Sequence, residues 1–409
     1  MKKYFVFISL FLISSFGFAQ VGSVYSRFGV GEISNYISDK SAAMGRSGIV
    51  YMSEETPNIK NPAALSNINR TMLTAHFQYN NYMMDDGKNS SSQGKGNIES
   101  MFITFPVYKP SEIVFSAGLA PFSTVGYSLE QNSVYDTLNI KQQFFGSGNL
   151  TSAQVSLSYS PISFLSLGVT TQYFFGTQTH RQTLEFLNTN FYKTDVQQER
   201  SMKGVGFTIG GVFKGVDNLF STEKNLNIGG AFFLGSQLNV DEETISDFSS
   251  KYDTTLLKNQ TMKIPPSIAL GISYKINRWM LVSDFHTQLW NDFSYQNIHP
   301  KEIQNSTHIG IGAEISPSKE SHQSFFDELS YRIGAYMNTS YIKLNNTSID
   351  EYFVTAGMGF SLSNDTKMNI GIEFGTRGTT SSSLIKDTIT RLTVSFNASD
   401  IWFIQPEIE

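Results

Sequence analysis

Leu165-Ser166-Leu167-Gly168-Val169-Thr170-Thr171-Gln172-Tyr173-Phe174-Phe175 is the stretch that decides the fold. Leu165, Leu167, Val169, Thr171, Tyr173 and Phe175 fall on one side of an extended chain, and Ser166, Gly168, Thr170 and Gln172 on the other. Successive side chains of a strand point to opposite faces, so this is a strand with one apolar and one polar surface. Such a strand hides from a hydropathy average because its two faces cancel, and the mean hydropathy is −0.18.

The same alternation starts after Arg70 with Leu73, Ala75, Phe77 and Tyr79, and recurs to Leu392, Val394 and Phe396. Fourteen such runs are joined by six short and seven long connections, among them short turns at Ser160 to Ser163 and Ile276 to Arg278. The long ones are polar and read as loops, for example Asn132 to Gly148, Arg181 to Glu199 and Asn239 to Gln260. An even number of strands with short turns at one end and long loops at the other is the wiring of an outer-membrane barrel. A soluble propeller or sandwich would show shorter strands and less lopsided connections. Closure follows from the solvent, since an unpaired sheet edge in hydrocarbon costs several kcal/mol per group. The fold expected is all-β: a 14-stranded antiparallel transmembrane β-barrel over residues 70–405, behind an N-terminal segment over 20–69.

Residues 1–19 read as a signal peptide, with Lys2 and Lys3 before an apolar run from Tyr4 to Phe16 and small residues at Gly17 and Ala19. That predicts export, and the barrel places the mature chain in the cell outer membrane. There is no cysteine, hence neither a disulfide framework nor a thiolate metal site. The net charge of −5 argues against nucleic-acid binding.

Two breaks in the pattern stand out. Asn61-Pro62-Ala63-Ala64-Leu65-Ser66 is a rigid turn, because proline fixes its own φ and restricts the residue before it. The third strand, from about Glu112 to Gln131, is interrupted by Gly118-Leu119-Ala120-Pro121 and by Gly126. Sheet pairing is expected to fail there, giving a kink in the wall.

Chemistry-bearing residues are sparse. The histidines, His76, His180, His286, His299, His308 and His322, lack metal-ligand spacing, and no nucleophile elbow occurs, so neither a metal, a cofactor nor an enzymatic activity is expected. By strand parity Glu99, Asp284, His286, Glu314, Arg332, Glu373 and Arg391 point inward, where charges need partners. Arg27 and Arg46 of the N-terminal segment are the counter-charges expected for the acids.

Together these pieces resemble the FadL family of outer-membrane transporters for long-chain fatty acids and other hydrophobic compounds, to which the shuttle protein PorV of type IX secretion is also similar. The resemblance rests on an N-terminal segment ending in Asn61-Pro62-Ala63, fourteen strands, and a kink in the third at Gly118 to Pro121. The Ser26-Arg27-Phe28-Gly29-Val30-Gly31 stretch looks like that of Bacteroidota members. The resemblance implies that residues 20–69 are a hatch plugging the barrel, with Asn61, Pro62 and Ala63 as its hinge. It implies that Gly118, Pro121 and Gly126 border a lateral gate, and that Phe28, Val30 and Ile33 with Phe122 line the ligand pocket. The partners implied are a hydrophobic small molecule such as a fatty acid, and outer-membrane lipid. The second function, from a different class, is a non-enzymatic barrel serving protein secretion or assembly, with another outer-membrane protein as partner.

Overall fold

The computed structural model describes residues 22–136, 138–187, 191–216, 225–248, 252–318, 324–363 and 365–400. The signal peptide expected at 1–19 lies outside them, as do residues 20–21 of the N-terminal segment and 401–405 of the barrel.

The chain enters through a short strand, β1 (Glu32–Ile33), among turns and 3-10 helices. The wall follows as β2 (Thr71–Asp85), β3 (Ser90–Tyr108), β4 (Ile113–Tyr135), β5 (Leu138–Ile162), β6 (Leu165–Phe186), β7 (Thr194–Phe213) and β8 (Leu226–Asp247). It continues with β9 (Tyr252–Ile264), β10 (Ser267–Ile276) and β11 (Trp279–Gln288), then a two-residue strand β12 (Ser294–Tyr295). The last five are β13 (Ser306–Ile315), β14 (Ser330–Leu344), β15 (Thr347–Ser361), β16 (Thr366–Arg377) and β17 (Lys386–Asp400).

Every wall pairing is antiparallel, and β17 pairs with β2 from Lys386↔Asp85 to Asp400↔Thr71, which closes the sheet into a barrel. The upper part of β8 pairs with β9 and the lower part with β10, so these two form one wall strand broken at Pro265-Pro266, where two ladder donors are missing. With that strand counted once, fourteen strands make the wall. The register is the expected one: Leu167, Val169, Tyr173 and Phe175 are exposed on the outer face, while Ser166, Thr170 and Phe174 are buried inside.

The long polar connections are corrected. Asn132 to Gly148 is almost all strand, and Arg181 to Glu199 and Asn239 to Gln260 are the upper halves of hairpins. Above Phe175 the outward residues of β6 become Thr177, Thr179, Arg181 and Thr183. Strand pairing needs no apolar face once the hairpin stands in water, so the alternation that marks a lipid-facing strand disappears while the strand continues.

Residues 22–69 pack against the inner face of the wall. Asn61 caps a 3-10 helix (Pro62–Asn67) by accepting from the Ala63 N–H at 3.1 Å, with Pro62 at its first position. This turn lies against β6 and β7, where Gly168 and Gly210 leave room for Pro62 and Asn61 and Ser66 meets Ser166 at 2.7 Å. It packs against β5 as well, and its Leu65 shares an apolar cluster with Val114 near the start of β4. On the opposite wall Met44 and Gly45 are seated on Gly310, Gly312 and Gly334.

Gly45 has a φ of +63°, and a Cβ there would stand 2.4 Å from the Ile311 carbonyl oxygen and 2.5 Å from that of Ala335. Gly45→Ala is expected to destabilise the folded protein by about 1–3 kcal/mol, through overpacking and an unfavourable left-handed backbone. Urea unfolding of the detergent-solubilised protein checks this; an unchanged midpoint would mean that the seat yields freely.

Candidate lateral opening and plugged lumen

The kink lies in the third wall strand, β4, as expected, and its consequence is a gap. β3 and β4 pair only from Met101↔Leu119 down to Tyr108↔Ile113. Above Leu119, β5 is the one wall strand that pairs with β4 among the described residues, and the upper half of β3 pairs with β2 alone. Pro121 has no N–H to offer, and the register with β5 slips at Phe122, so the chain leaves the plane of the ladder there.

The three expected gate residues divide. Gly118 is paired on both sides, with Phe102 and Gln154, and a Cβ on it would lie 2.2 Å from the Met101 carbonyl oxygen, so it belongs to intact wall below the gap. Pro121 stands at the lower lip. Gly126 stands higher on the free edge, where the N-terminal segment covers it.

That cover is a set of strand-like contacts. Glu32 and Ile33 of β1 pair with Thr124 and Ser123, and the Ser34 N–H donates to the Phe122 carbonyl at 3.0 Å. The Gly22 N–H donates to the Gly126 carbonyl at 2.8 Å, and the Ser123 hydroxyl to the Val30 carbonyl at 2.6 Å. Tyr341 of β14 holds the other side of the segment: its hydroxyl lies 2.6 Å from the Gly31 carbonyl oxygen and accepts from the Val30 N–H at 3.3 Å.

All four residues expected to line a pocket come together. Val30 is fully buried, and Phe28, Ile33 and Phe122 pack against the same apolar cluster, which also holds Phe174, Phe233, Trp290 and Tyr341. Phe122 meets Phe174 edge-on at 5.3 Å, and Trp290 stacks on Tyr341 at 4.4 Å. Phe174 and Phe233 are inward aromatics on strands whose outward aromatics dominate the reading; parity was their only signal.

Beside this cluster is a cavity of about 160 Å³. Asn97 and Glu99 of β3 and Pro121 and Phe122 of β4 border it, so it reaches the gap. Ile33 and Phe122 contribute apolar surface, while Glu32, Arg46, Lys60 and Arg391 contribute charge.

The inward charges are consumed in holding the segment. Arg46 makes a two-pronged contact with Glu373 at 2.9–3.2 Å, and Glu373 also accepts from the Tyr336 hydroxyl and faces Arg391. Glu314 sits between Lys40 at 3.1 Å and Arg332 at 2.8 Å. Asp284 accepts from the Gly48 and Ile49 N–H groups at 2.6 and 2.8 Å, and Glu99 accepts from the Ser34 hydroxyl at 3.2 Å. Arg27 does not serve as a counter-charge: it is exposed, with its guanidinium over the Phe144 ring at 4.1 Å. Lys40 takes the place expected of it, and Glu32, which meets Arg377 at 3.1 Å and Arg391 at 3.4 Å, is a further link. Burial opposes ionisation of Glu32, but Arg377 and then Arg391 outweigh it and hold its carboxyl down at about 2.

Lys60 has, among the described residues, no acidic partner; burial first, and Arg46 second, push its ammonium down to about 8. Its folded value lies below the unfolded 10.5, so the folded protein binds fewer protons in between and stability rises with pH from about 8 to 10.5. The penalty is present in full below that window. Lys60→Met is expected to abolish the rise, whose slope is at most about 1.4 kcal/mol per pH unit, and to stabilise the protein at neutral pH. Urea midpoints at the two ends of the window test it, and an unaltered slope in the variant would assign the rise to another group.

Among the described residues no group of His, Cys, Asp or Glu is placed to hold a metal ion. A family model described as BamG matches residues 1–409. No curated protein matches the chain. Among solved structures, the Pseudomonas putida toluene transporter TodX is similar at 15% identity and a TM-score of 0.60, covering 90% of this chain and 99% of its own. A monoaromatic hydrocarbon channel, CymD, has 10% identity and a TM-score of 0.60 over 90% and 98% of the two chains. A Pseudomonas aeruginosa FadL homologue has 12% identity and a TM-score of 0.61 over 90% and 99%. Identities this low speak to the fold, a closed 14-stranded antiparallel barrel of the FadL type.

Proposed function

The chain belongs to the BamG family, and we propose that it is a non-enzymatic outer-membrane barrel in which small hydrophobic compounds pass sideways into the bilayer between β3 and β4 when the N-terminal hatch moves. The observation that carries this reading is the parting of wall strands β3 and β4 above Leu119, beside the exposed, lipid-facing Ile98 and Met101, with only the short β1 laid on the β4 edge. Unpaired backbone at membrane depth costs several kcal/mol per group, so a wall left open beside a cavity is an expense that a sealed structural barrel avoids. β1 and its neighbours cover part of that edge and can be exchanged for it. The hydrocarbon and toluene channels named above share this fold and support the reading by analogy.

The cavity sets the scale of the cargo. A cavity near 150 Å³ admits a single benzene-sized ring, so about 160 Å³ suits a small aromatic or the head of a larger amphiphile. A long-chain fatty acid needs the hatch displaced further. Each CH₂ withdrawn from water is worth about 0.8 kcal/mol, which makes the bilayer the downhill destination.

A second reading, a barrel serving protein secretion or assembly, is favoured by the six strands β4 to β9, which rise together as paired hairpins beyond the apolar belt. Native mass spectrometry of the detergent-extracted protein separates the two. A bound hydrophobic small molecule supports passage, and a stoichiometric protein partner with no such molecule overturns it in favour of assembly.

A further inference from the structure

The upper halves of β4 to β9 form an open blade in water. Most of its outward residues are polar, among them Thr177, Thr179 and Arg181 on β6, Glu199, Ser201 and Lys203 on β7, and Asn239, Asp241 and Glu243 on β8, with Val134, Phe145 and Ile245 as apolar exceptions. From Thr177 to Phe186 the chain rises about 30 Å along the strand at 3.3 Å per residue.

An open blade has two edges, and that of β9 is bare. β9 pairs with β8 along its length, whereas on its other side β12 reaches only Met262 and Lys263, and the Gln296 N–H reaches the Thr261 carbonyl. From Tyr252 to Leu257 no strand lies on that side among the described residues, and both faces are exposed, including Tyr252, Leu256 and Leu257. Proteins blunt such edges with charge and bulges. Here Lys258 and Asn259, at a φ of 56° where the register slips, do so below Leu257, and between Tyr252 and Leu257 the one charge is Asp253, which is exposed.

The neighbouring face says what fits. Glu199 stands directly opposite Glu243, Asp195 opposite Asp247, and Asp241 opposite Ser201. Arg181 neutralises Asp195, but the Glu199 and Glu243 pair brings like charges together, which is unfavourable. Leu256 is the next residue outward in that row, opposite Glu243. A lysine or arginine placed opposite Leu256 lays its aliphatic stem over the leucine and carries its charge towards Glu243. Two copies joined edge to edge would instead align two acidic faces.

We propose that the β9 edge from Tyr252 to Leu257 is a docking site for an extended, basic segment of a partner protein, added to the blade as a further strand. It gives the assembly reading a surface and stands apart from passage through the wall, so either can fail alone.

The test is amide hydrogen exchange on the full-length protein in lipid nanodiscs, with a decapeptide of alternating lysine and valine as probe and its glutamate–valine counterpart as control. The lysine peptide is expected to slow exchange of residues 252–257 by about tenfold or more and the glutamate peptide to leave it unchanged. Thr254→Pro, which removes an edge donor, and Leu256→Lys, which keeps the strand but repels the probe, are both expected to cancel the protection. No protection, equal protection by both peptides, or protection that rises with protein concentration without peptide overturns the proposal, the last by showing a second copy on the edge.

Discussion

Glu373→Ala is expected to unseat the N-terminal segment. Glu373 is fully buried and takes Arg46 from the N-terminal segment, Arg391 from its neighbouring strand and the Tyr336 hydroxyl, so its removal leaves Arg46 without an acidic partner among the described residues and Arg391 with Glu32 alone. Breaking a buried pair from one side costs about 3–5 kcal/mol, because the surviving charge keeps its desolvation penalty without its attraction. Part of that loss is relieved if residues around Arg46 swing out, and the variant is therefore expected to conduct small ions in planar bilayers where the parent does not. Glu373→Gln keeps hydrogen-bond acceptors and is expected to lose less. A variant that is destabilised yet stays closed would show that the Lys40–Glu314–Arg332 group and the glycine seat at Met44 and Gly45 hold the segment without it.

Locking β1 to the wall is expected to have the second large effect, on passage instead of stability. Ile33 and Ser123 are Cα partners across the only sheet contact between the segment and the free edge of β4 in the described residues, and the chain has no cysteine to interfere. Ile33→Cys with Ser123→Cys brings two thiols to the spacing of a cross-strand pair, which a disulfide can bridge. The oxidised double variant is expected to transfer a hydrophobic probe into liposomes about tenfold more slowly or worse, with recovery on reduction, as for any step limited by a moving cover. The parent, lacking thiols, controls for the reductant. Equal rates before and after oxidation would mean that the cargo leaves by a route that does not pass β1.

The wall was legible because lipid imposes a rule that residues must obey. Every outward position in the belt of β6 is apolar or threonine, and parity then assigns Glu314, Arg332, Glu373 and Arg391 to the lumen without further information. Arg377 obeys the same parity, but it lies past Phe374, the last apolar residue of its run, where the signal had stopped. For the same reason the hairpins above Phe175 read as loops: water accepts a polar side chain on either face of a strand, so nothing alternates. The N-terminal segment has no period at all. Its Phe28, Val30 and Ile33 were visible as apolar residues, whereas the pairing of Lys40 with Glu314 and of Glu32 with Arg377 depends on how a turn-rich chain is folded inside the wall. The gap was half legible. Pro121 announces a break in the ladder, but Gly118 is intact wall, and that β3 and β4 part company all the way above Leu119 follows from strand direction, which no single residue encodes.

On the proposed route a hydrophobic compound leaves the lumen through the space between β3 and β4. Photoaffinity labelling of the protein in lipid nanodiscs with a diazirine-bearing toluene analogue tests it most directly, by locating the labelled residues with mass spectrometry. Label is expected at Phe28, Ile33 and Phe122 and, on the far side of the gap, at Ile98, with the excess at Ile98 over the rest of the outer belt lost when Ile33→Cys and Ser123→Cys are oxidised. Label spread evenly over the outer belt, on Leu167, Val169 and Phe207 as much as on Ile98, with none on Phe28 or Phe122, would contradict it.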